Sequence, residues 1–218
     1  MMIPVQLSKT MLHEEQKAAV QLFCESLASM PDHQVKSIFL YGSAARTDYR
    51  PGVSDINLLI ILERADILAM TKFIEPVAKG RISKIAPLFL TIPELIKLSS
   101  AFPLKYLSIM ESHLILYGED NLAEIRIGRE SLEIRCRQEM LNLLMRLRRH
   151  YLYSMGHNLT RFLVSSLKGF LEVLRIFLYL KNDCSPSREE IFDAAESILG
   201  EDAFVIREIS QIKISQDE

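Results

Sequence analysis

Two short β-rich runs, VKSIFLY at 35–41 and INLLIIL at 56–62, constrain the fold more than any other feature of this chain. Both are apolar almost throughout, whereas a strand with one wet face would alternate, so each is expected to be covered on both faces. A sheet buried on both sides needs helices, and the sequence supplies them. From Leu12 to Met30, the residues Leu12, Val20, Phe23, Leu27 and Met30 fall near one helical face. Asp66 to Lys79 reads as a helix ended by Gly80, PELIKLSSAF as a short helix opened by Pro93, and another starts at Pro103. KIAPLFLT is a third strand, with Pro87 assigning it to an edge or a bulge, and HLILYG is a fourth. Alternating helices and strands to about Gly118 predict an α/β (α+β) domain.

Beyond Gly118 the pattern is helical only. Long helices are expected over Glu130 to Tyr153 and Leu159 to Lys181. SPSREEIFDAAESIL carries a helix start, with Ser185 capping ahead of Pro186 or Ser187 paired with Glu190 in a capping box. A last helix covers Asp202 to Ile214. Consecutive helices without strands predict an appended all-α bundle, giving domains at 1–118 and 119–218. Charge divides unevenly within this half. Arg129 to His150 holds six Arg against three Glu, while Pro186 to the end holds three basic and nine acidic residues. One reading has these solvated faces attracting each other; the other turns RLRRH, Arg146 to His150, toward phosphates in a cleft between the domains.

The 218 residues can bury a substantial core, and a formal net charge of −2 supplies no global field to recruit nucleic acid. Cys24, Cys136 and Cys184 lie far apart with no CxxC pairing, and no leader sequence opens the chain. Both features predict reduced thiols and a cytoplasmic setting. No apolar run approaches the ~20 residues of a membrane span. The five histidines lack zinc spacing. Ser43 has no neighbouring His for a hydrolase triad, and GSAAR is not a nucleophile elbow. The aromatic residues of the second half recur at helical spacing, as core or interface packing would require.

Chemistry concentrates between the two strands, in GSAARTDYRPGVSDIN. Gly42 allows close backbone approach, and the turn it opens can present N–H groups and the Ser43 hydroxyl to a phosphate, aided by a helix starting there. Asp55 and Asn57 are one residue apart at the start of the second strand, so period-two geometry puts both on one face beside that turn. Two carboxylates so placed would hold Mg²⁺ ions roughly 3.5–4 Å apart for in-line phosphoryl transfer. Asn57 keeps the shape and one oxygen of Asp but not its charge.

Strand, Gly-Ser, polar loop, then Asp-x-Asp on a strand is the signature of the DNA polymerase β-like nucleotidyltransferase superfamily. GSAARTDYRPGVSDINLLIIL resembles its small bacterial members, the minimal and aminoglycoside nucleotidyltransferases, firmly over Ser37 to Leu62 and more loosely to Gly118. The resemblance implies an Mg²⁺-dependent transfer of a nucleoside monophosphate from an NTP to an unknown acceptor entering between the domains. It makes Gly42 and Ser43 the triphosphate clamp, Asp55 a metal ligand and Asn57 a weak auxiliary. Arg46 stands where the family often has a loop arginine; the same side chain could instead pair with Asp48. The family's third carboxylate, expected on the strand after the intervening helix, has no counterpart in KIAPLFLT; Glu94 just beyond is either a ligand or a helix-dipole partner. Helical domains beside such transferases sometimes belong to the HEPN ribonucleases, but neither His150 nor His157 has an Arg at the required spacing. Two readings follow: a transferase of weakened activity, or a pseudoenzyme that binds a nucleotide or a protein partner, with a homodimer through the helical domain as one form.

Overall fold

The computed structural model describes residues 6–30, 34–46, 49–52, 54–154, 159–182 and 190–217. The chain divides into two compact units, residues 1–127 and 128–218.

The first unit is built on four strands: β1 (Val35–Tyr41), β2 (Ile56–Leu62), β3 (Ile85–Thr91) and β4 (His113–Gly118). They lie in the order β3-β2-β1-β4. β1 runs antiparallel to β2 and to β4, while β2 and β3 are parallel. The two apolar runs are therefore the central strands. Pro87 falls on β3, an edge strand, where its missing N–H costs no ladder bond on the outer side.

Alternation along β1 and β2 sorts their side chains into two cores. Ile38, Leu40, Ile56, Leu58 and Ile60 pack with Val20, Phe23, Cys24 and Leu27 of α1 (Glu14–Ala28). Phe39, Leu59 and Ile61 pack on the other face with Leu95 of α4 (Ile92–Ala101) and with Tyr106 and Ile109 of α5 (Pro103–Glu111). These strand residues are wholly buried, as a sheet covered on both sides demands. Burial holds the Cys24 thiol in its neutral form, pushing its pKa up to about 12. Leu122 and Ile125, beyond Gly118, also pack into the second core, so residues 119–127 go with the first unit.

Between β2 and β3 the expected single helix is two: α2 (Ile67–Thr71), whose N-cap Asp66 accepts a bond from the Ala69 N–H, and α3 (Ile74–Gly80). Ala69, Phe73, Val77 and Gly80 keep one helical face across the break, and Phe73, 1% exposed, packs into the first core.

The elements of the second unit among the described residues are helices: α6 (Arg129–Tyr153), α7 (Leu159–Asn182), α8 (Ile191–Leu199) and α9 (Phe204–Asp217). Leu167, Leu174 and Leu178 of α7 meet Ile191 and Ala195 of α8 and Ile206 of α9. Arg207 of α9 bridges Asp193 and Glu196 of α8, each at 2.8 Å. The caps expected at Ser185 and Ser187 lie outside the described residues. Arg146 lies over the Phe162 ring at 5.8 Å and Arg149 over Tyr153 at 5.6 Å. Among the described residues no helix is long and apolar enough to cross a membrane.

Candidate active site

The strand β1 ends at Tyr41, and the chain turns at once through a single 3-10 turn, Gly42–Ala45. Gly42 makes the turn possible with φ +76, a conformation that costs an L side chain about 1–2 kcal/mol. The turn is closed by the Arg46 N–H donating to the Ser43 carbonyl at 3.0 Å. A full helix was expected here. One 3-10 turn has little dipole, so a phosphate grip falls to backbone N–H groups and the Ser43 hydroxyl.

The register brings the two halves of the motif together. Tyr41 pairs with Asn57 across β1 and β2. In consequence the open side of Gly42 faces the Asn57 carboxamide: a Cβ at Gly42 would stand 3.2 Å from Asn57 Nδ2. Asn57 is half-buried, and neither its amide nor the Ser43 hydroxyl has a hydrogen-bond partner among the described residues.

Asp55 lies one residue before β2, exposed, with no hydrogen-bond or ion-pair partner among the described residues. Its charge is felt by Tyr49. Burial first, then the Asp55 carboxylate, raises the Tyr49 phenol, against a 2.8 Å hydrogen bond from Gln16 Nε2 that lowers it. Asp55 also lines a cavity of about 600 Å³ walled by Phe73, Val77, Ile85 and Phe89, with Arg81 and Lys84 among its lining; Gly42, Ser43 and Asn57 are not among its walls. The acid thus stands at the margin of a space distinct from the Gly42–Asn57 contact.

The third carboxylate is absent from the place the family would put it. Parallel pairing sets Ala86 beside Asn57 and Leu88 beside Leu59. Glu94 is committed elsewhere. Its carboxylate accepts from the Thr91 N–H at 2.8 Å and the Thr91 hydroxyl at 2.9 Å, closing the capping box of α4. Those two bonds hold the Glu94 carboxyl below its ordinary pKa. Among the described residues no group of three His, Cys, Asp or Glu could hold a metal ion. The donors fit a single Mg²⁺ that arrives on a nucleotide, since such an ion needs one or two carboxylates besides phosphate oxygens. They do not fit a two-metal clamp.

Arg46 Nη1 lies 3.5 Å from the Ser108 hydroxyl of α5, a long contact, and Asp48, its other expected partner, is outside the described residues. Two tyrosines that the sequence did not single out, Tyr41 at the end of β1 and Tyr106 of α5, lie close enough to influence each other. Burial raises both Tyr41 and Tyr106, and the neighbouring charges of Tyr41 and Glu94 raise Tyr106 further. Only strand register and the helix that follows could have revealed them.

Residues 21–116 match the family model of the nucleotidyltransferase domain. No curated protein matches the chain. A solved structure, spectinomycin adenyltransferase AAD(9) from Enterococcus faecialis with ATP and spectinomycin, superposes with a TM-score of 0.58 at 14% identity, over 93% of this chain and 90% of that one. The strand-turn-strand corner and the register that closes it both fall within residues 21–116, the stretch that matches the nucleotidyltransferase domain, and an appended helical region follows.

Proposed function

We propose that the domain binds a nucleoside triphosphate with its Mg²⁺, and that transfer of a nucleoside monophosphate from it to an acceptor is slow. What supports this most is the Gly42–Asn57 contact, which joins the Gly-Ser turn to the β2 residues of the motif. In this reading Gly42 and Ser43 grip the triphosphate, Arg46 adds a positive charge from the loop, and Asp55 is the surviving carboxylate for the metal, with Asn57 offering a neutral oxygen.

The bound metal would supply charge neutralisation at the reacting phosphate. The chain's own residues would orient the nucleotide so that an acceptor oxygen meets the α-phosphorus in line. The new P–O bond forms as the α–β bridge breaks, pyrophosphate leaves and the acceptor proton passes to solvent. Placement is the part these residues can still perform. Stabilising the charge that develops is where they fall short. A unit charge pair at 4 Å is worth about 4 kcal/mol at an effective dielectric near 20, and each ~1.4 kcal/mol is tenfold in rate. Binding depends less on the missing acids, because the ion comes already held by the triphosphate.

A second reading, a silent nucleotide-binding module, is favoured by the engagement of Glu94 in its cap and by Ala86 beside Asn57. Exposed Leu141, Met145 and Leu152 of α6 then give a protein partner or a second copy its surface. The buried unpaired thiols of Cys24 and Cys136 suit a cytoplasmic setting.

Turnover of NTP labelled at the α-phosphate, against pooled small molecules, RNA and proteins, separates the two. Asn57→Asp is expected to raise label transfer at least tenfold over a low wild-type level. Nucleotide binding with no transfer in either protein selects the silent module.

A further inference from the structure

The cavity beside Asp55 is not explained by a triphosphate held at Gly42–Ser43. Its volume, about 600 Å³, sits within the roughly 300–1,000 Å³ of small-molecule sites. Met70, Phe73, Ile74 and Val77 form one side and Pro87 and Phe89 another, an apolar body for a pocket. Ile74 is 65% exposed, so the apolar lining reaches the mouth.

The charged lining is Arg81, Lys84 and Asp55. Arg81 is exposed, and its guanidinium has no hydrogen-bond or ion-pair partner among the described residues. Lys84, held at φ 56, donates from Nζ to the Gly52 carbonyl, which uses one of the three donors of an ammonium. Two cations against one carboxylate leave one positive charge at an apolar pocket. A cation is disfavoured there.

We propose that this cavity binds an amphipathic organic monoanion, its apolar body against Phe73, Val77 and Phe89 and its anionic head at Arg81 and Lys84. Apolar walls supply the affinity and the cations fix the orientation, the usual division of labour in small-molecule sites. The proposal is independent of nucleotide transfer, and the two make opposite predictions at one residue. Asp55 contributes the one negative charge, so its loss weakens an Mg-nucleotide but strengthens an organic anion.

Decanoate, decyl sulfate and decyltrimethylammonium titrated into the full chain, with calorimetry as the readout, form the test. The two anions are expected to bind saturably at one site per chain, the cation at least tenfold more weakly; the anion preferred distinguishes a carboxylate from a sulfate head. Arg81→Glu, an exposed change that should leave folding intact, is expected to weaken decanoate about fivefold or more. Ile74→Glu, at the mouth, should weaken it as well. Asp55→Asn is expected to tighten it. Equal binding of cation and anion, or decanoate binding unchanged in Arg81→Glu, overturns the proposal. Failure of Mg-ATP to bind while decanoate binds leaves it standing.

Discussion

The backbone of Gly42 lies against the carboxamide of Asn57, so close that a Cβ at Gly42 would come within 3.2 Å of Asn57 Nδ2. The contact couples the turn that follows β1 to the start of β2, the two segments that must meet for a phosphate and a metal to be held at one place.

Gly42→Ala meets two penalties, the positive φ and this contact. It should destabilise the protein by about 1–3 kcal/mol in chemical denaturation. Because the contact is with the Asn57 side chain, Asn57→Ala should relieve part of the cost, so that the double substitution costs less than the sum of the singles. Strict additivity would show that the two residues do not touch in solution.

Gly118 ends β4 with φ +76, and a Cβ there would lie 1.9 Å from the Lys36 carbonyl oxygen. The obstacle is backbone in the paired strand β1, which has no side chain to swing aside. Gly118→Ala should therefore cost about 3 kcal/mol or more and yield little soluble protein. The glycine of HLILYG has, at this position, a packing reason.

Glu94 offers a pH-dependent test of its role. Its folded pKa is below its ordinary value because of the Thr91 bonds, so its contribution to stability is present at neutral pH and fades as pH falls through the carboxylate range. Glu94→Gln should be less stable than wild type at pH 7, with the difference shrinking under acid. Thr91→Ala should cost about 1 kcal/mol by removing the cap. Neither change should alter the affinity for Mg-ATP. A large loss of nucleotide affinity in Glu94→Gln would mean that the carboxylate reaches the metal after all.

The central strands were legible because burial on both faces leaves a plain mark, and VKSIFLY and INLLIIL carry it. Pro87 announced an edge for the same kind of reason, a missing donor. The split of 66–80 into α2 and α3 was not legible, since nothing in TKF forbids a helix and the core face of Ala69, Phe73, Val77 and Gly80 keeps its period through the break. At the candidate site, spacing and the family resemblance together pointed to Gly42, Ser43, Asp55 and Asn57. Their neighbours could not. Ala86 beside Asn57, Tyr106 beside Tyr41, and Arg81 and Lys84 around Asp55 depend on parallel pairing and helix packing, which no local pattern encodes. The fate of Glu94 was partly written: Thr91 three residues before it is a capping box.

The most direct test is the melting temperature of the full chain with saturating Mg-ATP, for wild type and Asp55→Ala. Ligand at about 100 times its Kd adds about 2.7 kcal/mol, so wild type should rise by about 5–11 °C. Asp55→Ala should show little or no rise. An unchanged wild-type melting curve across all four NTPs, or an equal rise in the variant, would contradict the account.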